Sequence, residues 1–262
     1  MDRWRGKTAV VTGACSGIGR AITVSLLCNE INVIGLDINV QEFTKIKEKV
    51  SSTPRAGIFN GIECDISRSK DISDAFDTIE KQFSGVDILI NNAGVIDYRR
   101  IYDADRESFE RLLNINVLAV ATCTRAAIQS MRDRGVQGHI ININSVVGHE
   151  IPMKGLSEKD GSNSYNLYPA CKHATVAMTH SIRRELSEAK LGIKITSVSP
   201  GLVKTNIASK TNLKNLFDEI PALEPEDVAD AVLYALGTRP HVQVHIYIFT
   251  ISELTIQRTG EP

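Results

Sequence analysis

The stretch TAVVTGACSGIG, Thr8 to Gly19, decides the fold. Its first five residues form an apolar run of strand length. The remainder places Gly13, Gly17 and Gly19 in a G-x3-G-x-G spacing where a helical pattern begins. Glycines at a strand-to-helix turn let the backbone approach a pyrophosphate, whose charge meets free N–H groups and the positive end of the helix dipole. Cys15, Ser16 and Ile18 fill the turn between them. Asp37 closes the next apolar run, INVIGLD, where a carboxylate can accept hydrogen bonds from ribose hydroxyls and repel a 2′-phosphate. The glycines alone would suit any tight turn. With strand, helix and acid in register they read as a dinucleotide cradle that favours NAD over NADP.

Working outward, short apolar runs recur along the chain: GIFNGIECD (57–65), VDILINN (86–92), HIININS (139–145) and GIKITSVSP (192–200). Amphipathic segments such as 71–83 and 106–131 lie between them. Alternation of this kind implies right-handed βαβ crossovers. The expected fold is α/β, a single-domain Rossmann-type doubly wound parallel sheet of about seven strands flanked by helices, over residues 1–262. Two stretches fit the count poorly. HEIPMKGLSEKDGSNS (149–164) is long and polar for a strand-to-helix connection, and VQVHIYIFTISELTI (242–256) is either one extended strand or two.

Composition excludes several classes. A formal net charge of −1 without clustered Lys and Arg argues against a nucleic-acid partner. No uninterrupted apolar run approaches the roughly 20 residues that span a bilayer, and MDRWRGKTAVV has no signal-peptide core. The five cysteines, Cys15, Cys28, Cys64, Cys123 and Cys171, are odd in number and show no CxxC spacing. Reduced thiols in a soluble, cytoplasmic protein without a metal site are expected.

SNSYNLYPACK (162–172) holds two tyrosines and one lysine. Only Tyr168 has Lys172 at i+4, on the same helical face. Pro169 is tolerated only in a helix's first turn, so the spacing predicts a helix that begins close to Tyr168. A phenol is a poor base at neutral pH unless a cation favours its phenolate, and Lys172 can supply that charge. Tyr165 is at most a pocket wall.

TGACSGIG, NNAG (91–94), Ser145, YPACK and PGLVKT (200–205), in this order, resemble the short-chain dehydrogenase/reductase family. The resemblance runs from about residue 6 to residue 236. It implies a catalytic set of Asn116, Ser145, Tyr168 and Lys172. It places Asp65 at the adenine edge, with Ile66 beside it among the cofactor-binding residues, and Asn92, Ala93 and Gly94 along the cofactor's ribose. Val203 and Thr205 then hold the nicotinamide carboxamide, with Pro200 and Gly201 also counted among the cofactor-binding residues. Asn116 is chosen over Asn114 because the family's asparagine precedes a Val-Leu pair. Ser145 would steady the substrate oxygen, and Asn116 would relay protons through water to Lys172. Family members are usually homodimers or homotetramers, joined through the long helices near 106–131 and 168–189.

The start of the chain, CTRAAIQSMRDRGVQGHIININSVVGH (123–149) and the late YALGTRPHVQVH are similar to the farnesol-dehydrogenase-like subgroup. That implies a lipophilic alcohol or carbonyl substrate, farnesol or a related isoprenoid, with steroid, retinol or general carbonyl reduction as alternatives. Two features depart from the subgroup. Asp37 stands where basic, NADP-binding residues are usual, and IYIFTIS (246–252) interrupts the run from the histidine into ELTI. A lid is expected over 201–223. The competing class is a dinucleotide-binding sensor or scaffold without turnover, against which the intact Tyr–Lys pair argues.

Overall fold

In the computed structural model, residues 1–151, 164–208, 222–248 and 254–258 are described. Eight strands form one sheet: β1 (Thr8–Thr12), β2 (Asn32–Asp37), β3 (Phe59–Glu63), β4 (Ile88–Asn91), β5 (His139–Ile143), β6 (Lys194–Pro200), β7 (Val242–Ile248) and β8 (Leu254–Arg258). Their spatial order is β3-β2-β1-β4-β5-β6-β7-β8. The first seven run parallel, and only β8 turns back antiparallel on β7. The sheet thus carries one strand more than expected, and the tail resolves into two strands. Its inserted residues 246–248 make the whole parallel pairing of β7 with β6, Ile246 lying opposite Val198 and Ile248 opposite Pro200.

The helices are α1 (Gly17–Cys28), α2 (Phe43–Val50), α3 (Ser69–Phe83), α4 (Arg106–Leu113), α5 (Ala119–Asp133), α6 (Tyr168–Glu188) and α7 (Pro225–Gly237). A five-residue π turn, Asn114–Leu118, joins α4 to α5 without a break. The parallel strands are apolar on both faces because helices cover both. Ala9 and Val11 of β1 point into a core shared with Ile22, Leu26, Val232 and Leu236 of α1 and α7. Val10, between them, points into the opposite core with Ile79, Cys123, Ala127 and Met131 of α3 and α5. One 18-residue window of the helix Arg106–Asp133 reaches a mean hydropathy of 1.2, enough by length and composition alone for a membrane span; the helix's inward side packs on the sheet.

After β1 the chain moves outward to β2 and β3, then crosses back to place β4 on the other flank of β1. Strand order reverses between β1 and β4, and the carboxyl ends of strands diverge there to leave a crevice. At the chain start, Trp4 Nε1 donates to Leu236 O at 2.8 Å, tying the first residues to the end of α7. The lid expectation is described only at its stems, where Leu223 N–H donates to Leu202 O and Lys204 N–H to Leu223 O. Residues 209–221 and 152–163, the bodies of the lid and of the long loop, lie outside the described residues.

Candidate active site

Along the crevice runs a cleft of about 360 Å³, from Asp37, Ile38, Asp65 and Ile66 at one end to Asn144, Tyr168 and Lys172 at the other. Gly13, Ser16, Gly17, Ile18, Asn92, Ala93, Gly94 and Thr205 line it between. The glycine turn has room only for glycine. Gly13 and Gly17 adopt φ of +66° and +46°, conformations in which a side chain is strained. A Cβ on Gly17 would lie 3.0 Å from Thr205 Cγ2, and one on Gly19 would lie 2.0 Å from Gly13 O. Gly19 and Cys15 therefore serve the turn from behind and do not line the cleft.

Asp37 braces the turn as well as facing the cleft. Its carboxylate accepts the Cys15 N–H and the Asn39 N–H, both at 2.9 Å. Cys15 is correspondingly inert: burial, then the Asp37 charge, pushes its thiol up to about 12. Asp65 accepts from the Ser67 N–H and hydroxyl, which hold its carboxyl below the usual range. Asn92 Nδ2 donates to Thr12 O at 3.0 Å and Gly13 O at 3.2 Å, stapling the glycine turn to the end of β4. Asn91 is turned away from the cleft, donating to Thr124 Oγ1 and Asn142 Oδ1 in the core. Val203 is buried and bridges to Leu223, and Pro200 ends β6; neither these two nor Gly201 line the cleft.

At the far end, α6 begins at Tyr168 with Pro169 in its first turn. Ser145 follows β5, and its hydroxyl accepts the Val147 N–H at 3.3 Å. Burial holds the Tyr168 phenol well above its ordinary value, aided by nearby Tyr98 and opposed by the neighbouring Ser145 hydroxyl. Lys172 is buried; its Nζ donates to Ile143 O at 3.0 Å and lies 5.4 Å from the centre of the Tyr168 ring. Burial pulls its ammonium down to about 8, against a small opposing effect of Cys171. Burial thus shifts both groups toward their neutral forms, the phenol up and the ammonium down. Tyr165 and Tyr98 are both half-buried phenols raised by desolvation, and the Ser164 N–H donates to Tyr98 O at 2.9 Å.

Asn116 sits in the π turn, 2% exposed. Its Oδ1 accepts the Val95 N–H at 3.1 Å and its Nδ2 donates to Val95 O at 2.9 Å. Both ends of the amide thus bind the segment after Gly94 and fix the place of Asn116 beside it. The motifs missed their own flanks: Leu36, Cys64, Val95, Ile115, Ile143, Asn144, Asn206 and Ile207 also line the cleft. Each adjoins a strand end or motif residue already in view, which is the signal that finds them.

A family model described as short chain dehydrogenase matches residues 7–216. The chain is 43% identical over 264 residues to a farnesol dehydrogenase of Aedes aegypti, covering 100% of this chain and 99% of that one. It is 39% identical over 251 residues to dehydrogenase/reductase SDR family member 11 of Mus musculus, covering 93% and 94%. Among solved structures, a short-chain type dehydrogenase/reductase from Mycobacterium marinum superposes with a TM-score of 0.81 at 24% identity, covering 95% and 97%. The closed form of a serine dehydrogenase complexed with NADP+ superposes with a TM-score of 0.79 at 24% identity, covering 96% and 99%. At that identity the two structures speak to the fold alone.

Proposed function

Because the chain belongs to the short-chain dehydrogenase family, we propose that it is an NAD-preferring dehydrogenase of a lipophilic, isoprenoid-type alcohol, farnesol or a close relative. Oxidoreductase chemistry between an alcohol and a carbonyl with NAD(P) is the property of the family. The observation that carries the catalytic reading is the meeting of Tyr168, Ser145 and Lys172 at the carboxyl ends of β5 and the start of α6.

The cleft fits a dinucleotide, since a Cβ at Gly13 or Gly17 would fill the turn where the backbone must approach a pyrophosphate. Asp37 and Asp65 would hold the adenosine end, and Asn92 to Gly94 with Thr205 the nicotinamide half. When bound, the nicotinamide accepts or gives back the hydride. Every other task falls to the chain. Tyr168 takes the proton from the substrate hydroxyl in oxidation and returns it in reduction. Lys172 keeps a positive charge near the phenol, the charge that favours its phenolate against the burial that raises it. Ser145 holds the substrate oxygen by a second hydrogen bond, at the point where charge develops. Asn116 positions Val95 at the cleft wall.

NAD is favoured over NADP because the Asp37 carboxylate faces the adenosine end, where a 2′-phosphate would meet like charge. The isoprenoid substrate is supported by the full-length likeness to a farnesol dehydrogenase. Association into a homodimer or homotetramer through α4–α5 and α6 belongs to the same proposal, supported by Leu113 and Leu118, 41% and 57% exposed on that long helix. The test is a turnover screen with NAD and NADP against farnesol, geraniol, retinol and hydroxysteroids. Farnesol or geraniol with NAD should give the highest kcat/KM. NADP preference would overturn the reading of Asp37, and NAD binding with no alcohol turned over would favour a sensor.

A further inference from the structure

Asn144 interrupts the apolar run around β5 at a position only 3% exposed. A buried carboxamide costs free energy unless its groups are hydrogen-bonded. Its Oδ1 accepts the Thr175 hydroxyl at 3.3 Å, its Nδ2 donates to Ser197 Oγ at 3.4 Å, and its backbone N–H donates to Val198 O at 2.7 Å. That N–H belongs to the same peptide unit as the Ile143 carbonyl, the acceptor of Lys172 Nζ. Engaging the N–H of a peptide fixes its plane and strengthens its carbonyl as an acceptor.

The helical turn bearing the lysine is tied to the same residue. The single Thr175 hydroxyl proton is shared between Lys172 O at 3.0 Å and Asn144 Oδ1 at 3.3 Å. Gly148 makes that approach possible: a Cβ there would sit 2.9 Å from Lys172 O and 3.1 Å from Asn144 Oδ1. Amine and carbonyl of Lys172 are thus both held within one bond or two of Asn144. An apolar residue at 144 would leave the Ser197 hydroxyl without its donor, while Thr175 would keep Lys172 O alone.

We propose that Asn144 is a positioning residue for Lys172: its carboxamide, seated between Ser197 and Thr175, sets the chain just after the Ile143 carbonyl that meets the lysine amine, and through Thr175 it steadies the turn from which the lysine rises. Its value to catalysis rests on the reading of Tyr168 and Lys172 given above, but the geometry is testable without turnover. The titratable groups facing the amine are Tyr168 and Cys171.

Lysine labelled with ¹³C at Cε reports each amine's titration by NMR, and the Lys172 signal is the one lost in K172R. In N144L and in T175V, the Lys172 midpoint should fall by about half a pH unit or more, because a carbonyl acceptor favours the charged amine. The midpoint of Lys194, buried elsewhere against Thr238 Oγ1, should stay in place. Where an alcohol is turned over, kcat should fall about tenfold with KM for the alcohol little changed. A Lys172 midpoint within about 0.2 units of wild type in the variants, or a joint movement of Lys172 and Lys194, would overturn the proposal. T175V, which is isosteric, decides alone should N144L not fold. A wild-type chain that turns over no alcohol would sink the proposed reaction and leave the NMR result standing.

Discussion

Replacing Lys172 by methionine should stabilise the protein at pH 7 and destabilise it at pH 10, while removing its catalysis. The amine is 8% exposed, and burial pulls it from 10.5 down to about 8. That shift corresponds to about 3 kcal/mol between the folded and unfolded chains. The unfolded chain holds the proton more tightly. The penalty on the folded state is therefore complete below about 8, shrinks as pH rises, and is gone above 10.5. Methionine fills a similar volume without charge but leaves Ile143 O without its donor, at a cost of about 2 kcal/mol. The net gain at pH 7 is about 1 kcal/mol, a rise in Tm of roughly 2–4 °C for a chain of this size. At pH 10 less than about 1 kcal/mol of the charge penalty is left in the wild type, so the lost hydrogen bond dominates and the variant should melt first. Thermal unfolding of cofactor-free protein by circular dichroism at the two pH values reads the crossing. An equal Tm difference at both would show that the buried charge is not what separates the two proteins.

Tyr168→Phe should lower kcat by about 10² to 10⁴ and leave NAD affinity, read by fluorescence titration, nearly unchanged; substantial retained turnover refutes its role as acid/base. Gly19→Ala drives a Cβ to 2.0 Å from Gly13 O and should destabilise by about 1–3 kcal/mol with at least tenfold weaker NAD binding; wild-type values for both would contradict the packing. Asp37→Ala should weaken NAD about tenfold and spare NADP, and equal loss for the two cofactors would remove the carboxylate from the discrimination. The Arg99 guanidinium, then the Ser108 hydroxyl, hold Asp97 down to about 2 from 3.8. Its stabilisation is complete above 3.8 and lost as pH falls through about 2, so Asp97→Asn should flatten that part of the acid-unfolding curve.

The parallel strands were legible because burial on both faces writes them as unbroken apolar runs, yet their ends were not. Val86 and Asp87 read as strand, but they precede β4: Ser130 Oγ accepts the Val86 N–H, and Arg134 pairs with Asp87. The start of α6 was legible from one proline. The tail stayed ambiguous because a continuous apolar stretch does not mark where a hairpin turns. The catalytic candidates could be named from spacing and resemblance. The buried ties among them could not: Asn144 meets Ser197 across 53 residues and Asn116 meets Val95 across 21, and such pairs exist only once strand register and helix packing are set. Asn116 shows the limit most clearly, since a motif names a residue without saying which of its atoms are already taken.

The π turn at Asn114–Leu118 bears on how the long helix can vary. Ser108, Leu112, Asn116, Val120 and Thr124 are all buried, one every four residues. An α-helix advances about 100° per residue, so a strict step of four drifts about 40° each time, and by Thr124 the row would have wound out of the core. The wider turn takes up one residue's rotation, which brings the first half of the row back into phase with the second. Deleting one residue from 114–118 would restore regular winding and the outward face of α5 alike, but Asn116 would swing off Val95. The helix can be made regular only by unmaking the wall of the cleft.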